Sequence, residues 1–198
     1  IVLLTNVSNV HFISHAFVIP MGKSCKISFI YQQAGDPAAG LGGAVGLKGS
    51  DGLAIQAQAR ALGMNQTYYL NVTGWPAEGH TSTARDIATL AQALIRDFPE
   101  YYKLYSEKEF TYNNIKQYNR NKLLWNDDSV DGIKTGHTES AGYCLVSSAK
   151  RTGMRLIAVV LGTESEKARE QDSKALLNYG FRFFETKKLY SAGQKLTD

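Results

Sequence analysis

The chain contains 198 residues, of which 43% are hydrophobic and 20% are charged, which is enough for one domain, or slightly more, with a real core. Its 22 basic and 18 acidic side chains leave a net charge of only +4, without a block of five or six like charges. This balance argues against a dedicated nucleic-acid or polybasic membrane-binding protein. No run approaches 18 uninterrupted apolar residues, so the sequence predicts no transmembrane helix.

The charges are distributed unevenly along the chain. Residues 1–58 hold five of the 40 charged side chains, which leaves 40 − 5 = 35 for the other 140 residues. The second region is therefore about three times as dense in charge as the first. A single ordinary domain seldom shows such a difference, so we expect residues 1–58 and 59–198 to differ in character.

The first region gives weak structural signals. The chain begins at Ile1, and its apolar start is interrupted by polar residues and has no basic segment before it, so it does not read as a signal peptide. We expect a fragment that begins within a strand, with candidate strands at His11–Ile19 and Ile27–Tyr31. The Gly-rich segment Ala38–Gly52 contains neither a dinucleotide-binding fingerprint nor a Walker A loop, so nucleotide binding is not expected.

The two cysteines, Cys25 and Cys144, are far apart in sequence. They form no C-x-x-C pair and have no histidine at metal-ligand spacing, so we predict buried or free thiols rather than a disulfide or zinc site. The sequence predicts no metal and no cofactor.

Helix and strand signals become clear after residue 80. Ser82 and Thr83 can cap a helix at about 83–97, and Pro99 follows where its pattern stops; the apolar positions of this helix are Ile87, Leu90, Ala91 and Leu94. The segment Tyr101–Asn121 predicts a short helix followed by short strands such as Glu109–Tyr112.

Three strands and a second long helix are expected next. Val130–Thr138, Gly142–Ala149 and Met154–Leu161 have strand character, and residues 150–153 separate the last two as a hairpin. The segment Ser165–Phe184 predicts an amphipathic helix with its apolar face formed by Ala168, Ala175, Leu176, Tyr179 and Phe183. This order predicts an α/β or α+β domain in which helices flank an antiparallel sheet.

The most informative motif is Lys134-Thr135-Gly136, followed by His137. A K-T-G strand is one of three motifs of serine acyl-transfer enzymes. The ammonium attracts an anionic substrate, the threonine hydroxyl can bond a carboxylate, and glycine leaves room for a substrate backbone beside the strand. The next backbone N–H, that of His137, could donate to a developing oxyanion. Three letters alone are weak evidence.

Seven short sequence blocks, found in the same order in residues 59–185, strengthen the interpretation of the K-T-G motif. They include Ser82–Asp86, Gln92–Asp97, Asn119–Asn121 with Leu123–Trp125, Val130–Thr138, and Gly180–Glu185. With these blocks the chain resembles the low-molecular-mass penicillin-binding proteins of the DacA type that act as D-alanyl-D-alanine carboxypeptidases. The resemblance implies a β-lactamase/transpeptidase-like fold, here incomplete.

The resemblance also implies a site and its partners. Lys134, Thr135, Gly136 and His137 correspond to the family's third motif and its oxyanion donor, while Arg120 and Arg169 stand where the family places substrate-binding arginines. The implied partners are peptidoglycan pentapeptide ending in D-Ala-D-Ala and β-lactam antibiotics, with no nucleic acid and no membrane contact from this segment. The implied location is the periplasm or cell envelope.

Two catalytic motifs of the family are not recognisable. The only S-x-x-K, Ser147–Lys150, lies in a predicted strand, where residues three apart point to opposite faces; the nucleophile is therefore unknown. Ala34-Gly35-Asp36 stands where Ser-Gly-Asn is expected. Either the sequence is a partial or frame-damaged reading of a complete gene, which we favour, or it is a degenerate, non-catalytic member.

These features divide the chain and leave alternatives open. We expect residues 1–58 to be a degenerate part of the transpeptidase-like domain, 59–190 to carry the K-T-G strand, and 191–198 to begin a linker to a β domain that is absent. The leading function is a serine D-Ala-D-Ala carboxypeptidase, inactive as this chain stands. The alternatives are a class A β-lactamase-like hydrolase and a non-catalytic peptidoglycan-binding remnant.

Overall fold

A computed structural model describes residues 2–6, 52–71, 74, 76–187, 189 and 194–195. The candidate strands His11–Ile19 and Ile27–Tyr31, the segment Ala34–Asp36 and residue Cys25 lie outside the described residues, as does most of 191–198. Its elements in chain order are β1 (Val2–Asn6), α1 (Gly52–Ala61), α2 (Ala84–Asp97), α3 (Pro99–Tyr102), a 3₁₀ turn (Lys103–Ser106), β2 (Glu109–Tyr112), β3 (Ile115–Tyr118), α4 (Leu123–Asn126), β4 (Val130–Thr138), β5 (Gly142–Arg151), β6 (Met154–Thr163) and α5 (Glu166–Phe183).

The main sheet has the strand order β1-β6-β5-β4. The pairs β4–β5 and β5–β6 are antiparallel, as predicted, whereas β1 runs parallel to β6. The sheet is therefore mixed rather than purely antiparallel. β2 and β3 form a separate two-stranded hairpin.

The turn between β5 and β6 is shorter than predicted. Lys150 pairs with Arg155 and Arg151 with Met154, so only Thr152 and Gly153 connect the strands. Both turn residues have positive φ, 47° and 82°, as a two-residue hairpin turn of type I′ requires. Residues 150 and 151 are charged, so the sequence predicted that they belong to a polar loop. Charged residues are also tolerated near the ends of strands, which is where these two lie.

Both faces of β5 and β6 are covered, which makes a layered core. One face contributes Val146, Ile157 and Val159 to a cluster with Ile87 and Ala91 of α2. Alternate residues of the same strands, among them Leu145, Leu156 and Ala158, point the other way because side chains alternate along a strand. They pack with α4 and with Leu177 of α5. Among the residues described, no helix is long and apolar enough to cross a membrane.

Helix α2 confirms its sequence signals. Thr83 is the N-cap, and its side chain accepts a hydrogen bond from the backbone N–H of Asp86, which satisfies one of the open donors of the first turn. Ser82 is buried instead and bonds Thr67 through its hydroxyl at 2.8 Å. Pro99 occupies the start of α3, a position where its missing N–H costs nothing.

Helix α5 was predicted at the right place but with the wrong buried face. Its buried residues are Arg169, Ser173, Leu177 and Gly180, whereas Ala175 and Phe183 of the predicted apolar face are exposed. The buried stripe has the expected helical spacing. It begins with an arginine and a serine, so apolar periodicity could not reveal it.

Candidate active site

The K-T-G motif lies on β4, the terminal strand of the described sheet. Lys134 pairs with Val146, Thr135 with Leu145, Gly136 with Cys144 and His137 with Tyr143. One edge of β4 is thus bonded to β5, while its other edge has no partner strand among the described residues. An extended peptide can add to such an edge through main-chain hydrogen bonds.

Lys134 is a largely buried cation. Its Nζ donates a hydrogen bond to the carbonyl oxygen of Thr135 at 2.6 Å. Burial, together with the smaller effect of the positive charges of Arg120 and Arg169, lowers the pKa of Lys134 from 10.5 to about 8. Removal from water and like charges both disfavour the ammonium.

Arg169 reaches β4 from the first turns of α5. Only 2% of this residue is exposed, and its Nη1 lies 3.5 Å from the carbonyl oxygen of Gly136. Nη2 contacts Glu166 at 3.3 Å, and the guanidinium lies over the Tyr143 ring, 5.6 Å from its centroid. The Nε has no hydrogen-bond partner within the described structure. A buried guanidinium with an unused donor is suited to an anionic ligand.

Arg120 is in an exposed bend before α4. The next residue, Asn121, is buried and donates from Nδ2 to the carbonyl oxygen of Gly132 at 3.0 Å. This bond joins the bend to β4 two residues before Lys134. The charges of Arg120 and Arg169 both act on Lys134, so three separate parts of the chain contribute positive charge to this region.

His137 is half-buried at the end of the motif. Its ring lies 4.0 Å from that of Tyr143, centroid to centroid, at an interplanar angle of 32°. Tyr143 therefore contacts both His137 and Arg169. Its position directly across the strand pair explains the first contact, and sequence reasoning had assigned it no role.

A second polar cluster, which the sequence did not reveal, holds the start of β4. Arg155 of β6 makes a bidentate pair with Asp131, with both N–O distances at 2.7 Å. The hydroxyl of Tyr102 donates to Asp131 at 2.8 Å, and Arg155 also donates to the hydroxyl of Ser148 at 2.7 Å. Burial raises the pKa of Tyr102, so its hydroxyl stays protonated as a donor.

Three other residues of chemically reactive types have surroundings that indicate a structural role. His80 is buried, burial lowers its pKa, and its Nδ1 accepts a hydrogen bond from the backbone N–H of Leu70 at 3.2 Å. Ser147 of the S-x-x-K sequence is fully buried within β5, whereas Lys150 is exposed. Cys144 is buried and its thiol donates to the carbonyl oxygen of Ala141 at 3.6 Å.

The site concentrates positive charge beside an open strand edge. Three cations converge on the K-T-G residues, and Glu166, half-exposed, is shared between Arg169 and Lys122, whose Nζ lies 3.9 Å away. This arrangement favours a ligand with a carboxylate and an extended backbone. The K-T-G motif on such a strand is shared with the penicillin-binding and β-lactamase class of proteins.

Comparisons with known proteins narrow the class to one family. The family described as D-alanyl-D-alanine carboxypeptidase matches residues 53–165. The carboxypeptidase DacA of Escherichia coli K12 is 54% identical over 133 residues, which cover 67% of this chain and 33% of that protein. This chain belongs to the D-alanyl-D-alanine carboxypeptidase family.

Solved structures show the same relationship. Penicillin-binding protein 5 from Haemophilus influenzae superposes with a TM-score of 0.71 at 46% identity, over 74% of this chain and 43% of that one. Penicillin-binding protein D2 from Listeria monocytogenes, in its cefotaxime-bound form, has a TM-score of 0.61 at 33% identity, over 65% of this chain and 54% of that one. The chain spans about a third of the length of the curated relatives it matches.

Proposed function

We propose that this chain supplies the carboxylate-binding part of a serine D-Ala-D-Ala carboxypeptidase site. The substrate would be a peptidoglycan stem peptide ending in D-Ala-D-Ala, and β-lactams would occupy the same place. The observation that carries the proposal is the convergence of Lys134, Arg120 and Arg169 beside the open edge of β4. A carboxylate placed there would offset the repulsion among these positive charges.

Each motif residue has a distinct role in this proposal. Lys134 attracts the anionic substrate, and its positive charge lowers the pKa of a neighbouring base. Thr135 and the two arginines hold the terminal carboxylate, and Gly136 leaves room for the peptide backbone along β4. The backbone N–H of His137 donates to the oxyanion that forms when an acyl-enzyme is made and broken.

Binding of a short peptide ending in D-Ala-D-Ala tests the carboxylate site without any need for turnover. Adding the free-acid peptide to ¹⁵N-labelled chain should shift the amide resonances of Thr135, Gly136 and His137. The R169Q variant should bind at least about tenfold more weakly, since a charge-assisted hydrogen bond contributes ~1.5–3 kcal/mol. The matched control is R182Q, because Arg182 is exposed on the same helix.

The amidated peptide provides a second control, since it keeps the backbone but lacks the carboxylate. Equal binding of acid and amide would refute the assignment of the three cations as a carboxylate site. Unchanged affinity in R169Q, with a native-like spectrum, would refute the role of Arg169.

We also expect no covalent penicillin adduct on the 198-residue chain. Its only S-x-x-K has a fully buried serine in the middle of β5, so the serine of this motif does not supply a nucleophile to the site. Intact-mass measurement after incubation with penicillin should show unmodified protein, and a stoichiometric adduct would overturn this expectation. A periplasmic or cell-envelope location follows from the proposed substrate.

The β-lactamase alternative has less support than the carboxypeptidase. The family match and the relatives described above are carboxypeptidases or penicillin-binding proteins. Rapid nitrocefin hydrolysis by the protein would favour the alternative instead.

A further inference from the structure

The bend that carries Arg120 is held from both sides by asparagine side chains. On the N-terminal side, Oδ1 of Asn119 accepts from the backbone N–H of Asn121 at 2.9 Å. Its Nδ2 donates to the carbonyl oxygens of Glu107 at 3.0 Å and Tyr105 at 3.4 Å. The Asn119 amide therefore closes the bend on itself and ties it to the segment before β2.

On the C-terminal side, Asn121 ties the same bend to β4. Only 1% of this residue is exposed. Its Nδ2 donates to the carbonyl oxygen of Gly132 at 3.0 Å, and its Oδ1 accepts from the backbone N–H of Leu123 at 3.2 Å. One buried amide thus connects the start of α4 with the strand that carries Lys134.

This use of a buried amide is not required for filling the core. A leucine has the same branched shape, but it could neither donate to Gly132 nor accept from Leu123, so both of these hydrogen bonds would be lost. What asparagine adds is a fixed geometry between two segments. Arg120 is the residue between the two asparagines, so its backbone position is determined by both sets of bonds.

We propose that Asn121 is a positioning residue, which holds the bend against β4 so that the Arg120 guanidinium stays beside Lys134, with Asn119 fixing the same bend from its other end. The residue acts through Arg120 and does not itself contact the substrate. The inference deepens the proposed function, because Arg120 would bind the substrate carboxylate.

The titration of Lys134 reports the position of Arg120 without substrate, nucleophile or turnover. Among the described residues, Arg120 and Arg169 are charged groups that act on Lys134. In chain labelled with ¹³C-lysine, the Cε resonance of Lys134, assigned by its loss in K134R, gives the pKa directly. R120Q removes a positive neighbour and should raise that pKa.

If Asn121 positions Arg120, N121A should raise the Lys134 pKa in the same direction as R120Q and by no more than R120Q does. The double variant R120Q/N121A should then show no further rise beyond R120Q, because the charge being positioned is already gone. N126A is the matched control, since Asn126 is an exposed asparagine on α4, and it should leave the pKa unchanged.

An unchanged Lys134 pKa in N121A, or a shift that adds fully to that of R120Q, would refute the positioning role. If N121A does not give a folded spectrum, N119A decides by the same criterion, because it loosens the bend while keeping the bonds to Gly132 and Leu123. If the variants change the Lys134 pKa as expected but the D-Ala-D-Ala peptide does not bind, the proposed function is contradicted. The positioning of Arg120 is not.

Discussion

At the scale of single residues, the site depends on charges kept out of water. Lys134 is largely buried and feels the positive charges of Arg120 and Arg169, and its pKa falls to about 8. Arg169 is more deeply buried still, with one half-exposed carboxylate in contact. Such an arrangement is unfavourable for stability and favourable for binding an anion, which is a common compromise at functional sites.

Replacing Lys134 by methionine should therefore stabilise the fold. Methionine has a similar length and no charge to desolvate, so we expect K134M to raise the free energy of unfolding at pH 7 by up to about 3 kcal/mol, the equivalent of the pKa shift. Denaturant unfolding of both proteins measures this. The same variant should lose binding of the D-Ala-D-Ala peptide.

The increase in the free energy of unfolding of K134M over the wild type should depend on pH, and its sign follows from the pKa of Lys134. The unfolded chain keeps the lysine proton up to about pH 10.5, whereas the folded chain releases it near pH 8. The unfolded state binds more protons in that window, so wild-type stability rises with pH relative to K134M. The difference in the free energy of unfolding between K134M and the wild type should be greatest below pH 8 and disappear above pH 10.5. A difference independent of pH would contradict this account.

At the scale of elements, β4 is placed by contacts at its beginning. Asp131 is paired with Arg155 and Tyr102, and the Tyr102 ring leaves no room beside Gly132. A Cβ added at Gly132 would lie 2.7 Å from the Tyr102 hydroxyl oxygen and 3.2 Å from its ring carbon Cζ. Glycine is thus required here by packing rather than by backbone conformation.

The G132A variant should be destabilised by ~1–3 kcal/mol, the usual cost of overpacking a buried site. Y102F alone should cost less, about 0.5–1.5 kcal/mol, because it keeps the ring and loses only the bonds of the hydroxyl, a short one to Asp131 and a long one from Arg155. In the Y102F background the cost of G132A should decrease, since the closest contact is then absent. Chemical denaturation of the four proteins provides the test, and strictly additive costs would rule out the clash as the cause.

At the scale of the whole molecule, β5 and β6 are the centre of the described structure. They have neighbouring strands on both sides and packed side chains on both faces. The β2–β3 hairpin differs, because its large side chains are exposed; these are Phe110, Tyr112, Ile115 and Tyr118. Stability should therefore vary strongly across the chain.

Native-state hydrogen exchange should show this gradient. Amides in the ladder between β5 and β6 should exchange only through global unfolding, at rates that follow the measured free energy of unfolding. Amides of the β2–β3 hairpin should exchange by local opening, orders of magnitude faster. Equal protection in hairpin and central strands would show that the hairpin is covered in solution.

The sequence by itself determined the two long helices, the three main strands and the identity of the K-T-G strand between residues 83 and 184, because these depend on local patterns. Caps, strand alternation and the helical spacing of apolar residues are readable over a few positions. The turn at Thr152–Gly153 and the buried face of α5 were read wrongly for the same reason: charged residues beside them look exposed when considered locally.

Only the tertiary structure decided which charges are buried and which side chains meet. Arg169 resembles a surface residue in the sequence, and nothing local shows that it lies under Gly136 or that Arg155 pairs with Asp131 across the sheet. Whether a charged side chain can be buried depends on partners contributed by distant segments. For that reason the motif was recognisable from the sequence, while the electrostatic character of the site and its support by Asn121 required the fold.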